Sequence, residues 1–532
     1  MDYTSAYKIS TEAIELLPRV HSRSLDIQDQ QYVLSLFSGL ATNACSLALQ
    51  TGEPPGKAVE LLERGRGVIL SLLMDDRSDV TGLKAVDPTL YTQYEGFRTE
   101  VNRSISDIKD QRLQQVAVKR RPEAIKDLEN CIEDIRELPG FGQFQKAPTV
   151  EQMKKASEGG NIIFVNITDL RSDALIISGI GISSVPLPRF NASHAKSWID
   201  KDLTTPSAID GVKNGKKNKL YCKFLSWLWL ECVNPILQEA RYKLQSTIDQ
   251  LNIDQLPRIW WIGTGLASSF PFHAAGDNLL GSTERTCYWA ISSYTPSIKA
   301  LMYAKERAST ITTSSSNDRK LLIISMPTTP AASKLSKVGE ETAAVIKALE
   351  GSVSVEVLEQ PDVASVLHQI QECTIAHFAC HGVSNPIDPS ESGLLLQKST
   401  TEPIQDILSI RKVSQTHLAG GEIAYLSACS TAETRAARLV DEVLHIVSGF
   451  QIAGFRHVVG CLWPSSDSVC VEVARLFYSE LGQGQNGMPY EDRAVAVALH
   501  KAVMKVCESK GYGGRRLGEA PLKWAQYVHY GA

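Results

Sequence analysis

No basic excess runs through this sequence. Its 55 lysines and arginines face 59 aspartates and glutamates, for a formal net charge of -4. That balance gives no reason to expect nucleic acid or an anionic membrane surface as a partner. The apolar stretches read as interrupted by charge or proline well inside the ~18–20 residues that a membrane span requires, so no transmembrane helix is expected. The opening "MDYTSAYKISTEAIELLPRV" has no basic stretch followed by an apolar block, and no secretory signal is expected there. Cysteine pairs at CxxC spacing are also missing. Eleven scattered cysteines, an odd number, in a chain read as unexported predict free thiols in a reducing, cytoplasmic (intracellular) setting. Most such thiols behave as small buried hydrophobes.

The 532 residues present exceed what one core can hold, and two to four domains are expected. Residues 1–140 read as helices. "IQDQQYVLSLFSGLATNACSLALQTG" and "KAVELLERGRGVILSLLMD" carry apolar residues at helical spacing and meet at a Gly/Pro turn. Two helices of about 20 residues are predicted, forming a hairpin that resembles a tetratricopeptide unit. Two longer charged helices follow, and the Lys119–Arg120–Arg121 run reads as a solvated face. After "LPGFGQF" the texture changes. "NIIFVNI", "DALIISGI", "RIWWIGTG", "KLLIISMP" and "VSVEVLE" read as strands separated by helical stretches. Strands alternating with helices imply a mostly parallel α/β sheet sandwiched by helices. The upstream part is placed at 141–318 and the downstream part at 319–532.

Two segments stop on reactive side chains: "TIAHFACHG" on His381 and "EIAYLSAC" on Cys429. Sites in parallel sheets form at the carboxyl ends of strands. If the two strands are neighbours, a thiol and an imidazole share one rim. The imidazole could then take the thiol proton and return it to a leaving amine. Along the first strand, two-residue alternation puts His377 and His381 on one face and Cys380 on the other. Gly382 would allow a sharp turn and a close backbone approach. Backbone N–H groups of Gly382 and Cys429 could then hold an oxyanion. The plainer reading, a satisfied core histidine and an inert core thiol, stands beside this one. A metal site from His377, Cys380, His381 and Cys429 lacks recognised spacing, so no metal is assigned. No cofactor is expected either.

"HFACHG", "LSACST", "AGFRHVVGCLWPSSD" and "LKWAQYVHYGA", in that order, resemble the CHAT domain over about residues 161–532. CHAT domains have the caspase fold and lie close to separase, in the group of cysteine peptidases that also holds caspases and gingipains. "IWWIGTGLASSFPFHAAG" and "KLLIISMPTTP" look like segments of fungal CHAT proteins, in which helical repeats precede the domain. The resemblance implies a caspase-like catalytic part at 319–532, behind an upstream pseudo-caspase-like half and a TPR-like helical region. By motif, His381 is the histidine of the pair and Cys429 the nucleophile. His377 is then structural, Cys380 packing, and His445 the spare base. The separase pattern puts an acidic residue where Asp467 stands, which would select arginine or lysine on the acyl side. Capping of the helix that starts there is the competing role. Asp441 and Glu442, read at the start of the helix after the nucleophile, are weaker pocket candidates. Only "STAETRAARLV" separates Cys429 from that helix, so a removable linker is not expected. Arg435 and Arg438 offer either a self-cleavage site or simple solvation.

Two functions of different class follow. One is a cysteine endopeptidase acting on protein or peptide after basic residues, switched by a protein partner or by its helices. The other is a catalytically silent CHAT scaffold that binds partners through the helical repeats. A different hydrolase or acyltransferase using the same pair has no specific support in the chain.

Overall fold

The structure, a computed structural model, describes all residues except 1, 21–26, 78–79, 103–109, 206–210, 245–252, 278–281, 311–318, 400, 402, 433–440, 465, 483–489 and 510–516. Helices come first: α1 (Tyr3–Val20), α2 (Ile27–Ser35), α3 (Leu40–Gln50), α4 (Pro55–Gly65), α5 (Val68–Asp75), α6 (Thr81–Val86), α7 (Pro88–Asn102), α8 (Gln111–Arg136) and α9 (Val150–Ala156). The two expected 20-residue helices are each broken. Gly39 and Gly67 sit at the breaks with φ of 82° and 59°. That left-handed backbone suits glycine and cannot continue a right-handed helix. The stretch Asp29–Gln50 corrects a second expectation. Its 22 residues, at mean hydropathy 1.4, are long and apolar enough to cross a membrane by composition alone. Beyond Asp29 its polar residues are uncharged, so charge does not interrupt it. In the fold it breaks before α3, and Ala41, Ala44, Cys45 and Ala48 are buried in the protein core. Arg120, in the basic run, is ion-paired to Glu100, Glu123 and Asp127 on the exposed surface of the α7–α8 pair.

The α/β part contributes β1 (Asn161–Ile167), β2 (Ser172–Ser178), β3 (Gly181–Pro186), β4 (Arg258–Gly263), β5 (Ile291–Tyr294), β6 (Lys320–Ser325), β7 (Ser354–Glu359), β8 (Ile375–Ala379), β9 (His381–Val383), β10 (Gly393–Gln397), β11 (Gln405–Ser409), β12 (Ile423–Ser427), β13 (His457–Cys461) and β14 (Tyr527–Gly531). Helices α10 (Ala192–Ile199), α11 (Gly211–Leu228), α12 (Asn234–Leu244), α13 (Ile298–Thr310), α14 (Val338–Ala348), α15 (Val363–Gln369), α16 (Ile410–Ser414), α17 (Ile446–Ala453), α18 (Asp467–Gly482) and α19 (Asp492–Glu508) lie between them. Eleven strands form one sheet in the order β3-β2-β1-β4-β5-β14-β13-β12-β8-β6-β7, and β11-β10-β9 form a small second sheet. The large sheet is mostly parallel; β1–β2, β2–β3 and β13–β14 are its antiparallel pairs. The central strands β1, β8, β12 and β13 are buried along their whole length, as strands covered on both faces must be.

The N-terminal helices are part of that cover. Ile14, Leu17, Ala44, Leu62 and Ile69 share one core with Phe164, Ile177 and Trp260 of the sheet and with Ile298 and Leu301 of α13. Helices α7 and α8 instead enclose a separate small core around Tyr94, Leu128 and Ile135.

Helix ends bind the two regions in both directions. Glu63 of α4 accepts from the N–H groups of Ile298 (2.9 Å) and Lys299 (3.3 Å) at the start of α13. Asp441 accepts from Gly39 N at 2.7 Å, and Glu442 from Ile69 N at 2.9 Å, at the starts of α3 and α5. Carboxyl oxygens at helix N-termini satisfy the orphan donors there.

Candidate active site

The register across the sheet brings the two reactive segments to one rim. Ser427 of β12 lies opposite Ala379 of β8, and Ala379 lies opposite Ser325 of β6, which in turn faces Glu359 of β7. All four strands run parallel, so Ser427, Ala379, Ser325 and Glu359 form one row at the carboxyl edge. Cys429 and His381 each stand two residues beyond that row.

The local backbone differs from the expectation of one strand ending on His381. Strand β8 ends at Ala379, the chain bends at Cys380, and His381 opens β9 in the small sheet, where it lies opposite Leu395. Alternation along a single strand therefore does not place His381 with His377. A glycine is required right after it. A Cβ on Gly382 would overlap the carbonyl oxygen of Cys429 and lie 3.4 Å and 3.6 Å from its carbonyl carbon and amide nitrogen. The backbones of the two motifs are in contact.

The His381 ring is half-buried, and its Nε2 lies 2.7 Å from the carbonyl oxygen of Ser333. A carbonyl can only accept, so Nε2 carries the hydrogen and the neutral ring presents Nδ1 as its free base. Nothing in the residue pattern pointed to Ser333, because its contribution is a main-chain oxygen.

Cys429 is half-buried, whereas its neighbours Cys380 and Cys461 are buried. Burial pushes both neighbouring thiols up, and the charge of Cys429 adds to this. Of Cys380, Cys429 and Cys461, Cys429 is the accessible thiol. The residue after it, Ser430, has φ of 57°, a strained backbone for a side chain with a Cβ. Thr431 holds the strained turn. Its hydroxyl accepts from Cys461 N at 2.9 Å and its carbonyl from Val447 N at 3.1 Å.

The other candidates have different positions. His377 is fully buried beneath the rim. Its Nε2 lies 3.2 Å from Glu341, its Nδ1 is 3.2 Å from the Tyr478 hydroxyl, and its ring stacks on Tyr425. His445 precedes α17 rather than lying on it. It caps the helix by accepting from Ser448 N through Nδ1 at 3.1 Å, and burial lowers its pKa to about 4. An imidazole engaged and buried in this way is a poor proton acceptor near neutral pH.

Asp441 and Glu442 also precede α17. Both are buried against the N-terminal helices, with Arg66 Nε 3.7 Å from Asp441 Oδ1. They are therefore not pocket residues. Their distance in sequence from α3 and α5 hid this role, although Gly39 and Gly67 marked the breaks they fill. Arg435 and Arg438 lie outside the described residues. Asp467 is the first residue of α18. The carbonyl of Ser466 accepts from the N–H groups of Val469 and Cys470, so the cap position falls on Ser466 and Asp467 stands in the first turn. Strand β13, which leads toward it, adjoins β12 on the side away from β8. No cluster of three or more metal-ligating side chains occurs among the described residues.

Comparison with known structures finds a similar fold in separase. Two structures of the Saccharomyces cerevisiae separase–securin complex superpose with TM-scores of 0.53 and 0.54 at 11% identity, covering 100% of this chain. The matched regions are 38% and 37% of those chains, so this chain spans under two fifths of their length. The complex of pro- and mature domains of Porphyromonas gingivalis RgpB aligns at 11% identity with a TM-score of 0.37, over 59% of this chain and 76% of that one. Comparison with curated protein sequences returns no match. The CHAT domain family model matches residues 223–532, well over half the chain. With that match, and with a sheet of the separase type carrying the rim described above, the chain belongs to the CHAT domain family.

Proposed function

We propose that the chain is a cysteine endopeptidase with Cys429 as nucleophile and His381 as base, cleaving after arginine or lysine. The observation that carries this reading is the contact between the Gly382 and Cys429 backbones at the end of one register row. In the proposed reaction His381 Nδ1 takes the thiol proton and the sulfur attacks the substrate carbonyl carbon. The oxyanion is held by the N–H groups of Gly382 and Cys429. The imidazolium then gives its proton to the amide nitrogen as the C–N bond breaks, leaving a thioester. Water, deprotonated by the same ring, releases the acid. The Ser333 carbonyl orients the ring throughout. Asp467, past β13 on the side of the thiol away from His381, is the candidate partner for a basic side chain on the acyl side.

The N-terminal region, with its TPR-like α3–α4 hairpin, is the proposed regulatory element. Asp441 and Glu442, which it grips, close the segment that begins at the nucleophile. A partner that moved α3 or α5 would release Asp441 and Glu442 from them. The test is a basic-peptide probe carrying an electrophile. Labelling should be lost in Cys429→Ala and kept in Cys380→Ala. If the probe labels nothing, with or without cell extract, the silent-scaffold reading replaces this one.

A further inference from the structure

A cleft of about 290 Å³ lies on the far side of His381 from Cys429, lined by Thr328, Thr329, Pro330, Gln360, Gln397 and Pro403. Its position follows from the register. Thr328 to Pro330 leave the carboxyl end of β6, and Gln360 leaves that of β7, in the same row that leads to Cys429 and His381. Strand spacing of about 4.8 Å puts the β7 end some 14 Å from the β12 end, roughly four residues of extended peptide. The loop that forms one wall also supplies the Ser333 carbonyl that holds the His381 ring, three residues beyond Pro330.

Part of the lining is braced by side-chain hydrogen bonds. Gln360 donates to the carbonyl and hydroxyl of Thr328, and Gln405 donates to the Pro330 carbonyl. Thr329 is 5% exposed and Gln397 4%. The Thr329 hydroxyl has no hydrogen-bond partner among the described residues. Buried polar groups are ordinarily bonded, so the Thr329 hydroxyl keeps a hydrogen bond that a ligand could make once the lining above it gives way. Among the described residues no charged side chain lines the space.

We infer that this cleft binds the polypeptide on the leaving-group side of the scissile bond, at the second to fourth residues past it, and that it favours uncharged polar side chains there. The inference rests on the peptidase reading above. An imidazole that protonates the departing amine must stand on the departing chain's side of the thiol. That chain is then led past His381 toward β6 and β7. Thr329 and Gln397 would supply hydroxyl and amide contacts to serine, threonine, asparagine or glutamine, or to the peptide backbone.

The test uses the full chain and two arginine substrate sets. One ends one residue past the bond. The other continues four residues, with either polar uncharged or acidic residues at the second to fourth positions. The extended polar set should be cleaved with kcat/KM about 10-fold above the short set, as two added hydrogen bonds would give. Gln397→Leu and Thr329→Val, each checked for an unchanged melting profile, should each reduce that ratio about 3-fold. Equal cleavage of all sets by a chain that the electrophilic probe does label overturns the cleft assignment and leaves the peptidase standing. The cleft assignment falls in the same way if both variants keep the full ratio. Failure of the probe to label Cys429 removes the peptidase and the cleft assignment with it.

Discussion

Gly382→Ala is the sharpest perturbation the rim offers. Gly382 does not have a left-handed backbone, so alanine meets no conformational penalty there; the obstacle is space alone. The added methyl would overlap the Cys429 carbonyl oxygen by about 1 Å relative to ordinary contact. The strained turn at Ser430 and the Thr431 bonds to β13 and α17 leave the nucleophile segment little freedom to retreat, so the segment must move as a whole. Overpacking of this kind costs about 1–3 kcal/mol of stability. A misplacement of about 1 Å between nucleophile and partner costs on the order of 100-fold in rate. The assay is the second-order rate of Cys429 labelling by a basic electrophilic peptide, read beside thermal unfolding. Labelling should fall about 100-fold while the protein remains folded. Gly339→Ala serves as control. Nothing lies within 4 Å of its added methyl, and its position in the first turn of α14 favours alanine. A Gly382→Ala protein that labels within 3-fold of the parent rate would refute the reasoning, since the two motif backbones would then not depend on each other's placement.

Asp467→Asn keeps the size of the side chain and removes its charge in the first turn of α18. It should lower kcat/KM for arginine substrates at least 10-fold, with a stability loss under about 1 kcal/mol from the weakened helix-end interaction. Unchanged arginine preference would remove Asp467 from the pocket. The docking of the N-terminal helices should also depend on pH. Burial raises the Glu442 carboxyl from 4.5 to about 7, partly offset by the Ile69 N–H, in a site shared with Asp441 and Arg66. Between those two values the folded state holds a proton that the unfolded chain does not. Stability therefore falls as pH rises from 4.5 to 7, by up to about 3 kcal/mol, and levels off above. Glu442→Gln should flatten that slope in thermal unfolding measured across the window; a slope kept in full would assign it to other groups.

Much of the rim was legible in sequence because its signals are local. Apolar runs that stop at His381 and Cys429 announce strand ends, and Gly382 announces a close approach. Alternation breaks at Cys380 because the chain leaves one sheet for another there, and a period of two cannot show where pairing changes partner. The long helices broke where glycine already stood, at 39 and 67, but helical periodicity runs through both breaks and masks them. Asp441 and Glu442 were misread because their partners lie hundreds of residues earlier, at helix starts that only the fold brings near. Ser333 and the cleft beside it were not legible at all. One acts through its backbone, and the other is built from threonines, glutamines and prolines that carry no chemical signature.

Strand β14 sits between β5 and β13, parallel to the first and antiparallel to the second, with five strands on each side. During synthesis both of those neighbours emerge long before residue 527 does. Until it arrives, each half presents an open hydrogen-bonding border, the kind of surface that invites wrong pairing. Closure of the molecule is thus a late, long-range event, and slow assembly or reliance on a chaperone is the expected cost of fastening the two halves with a single short piece of backbone.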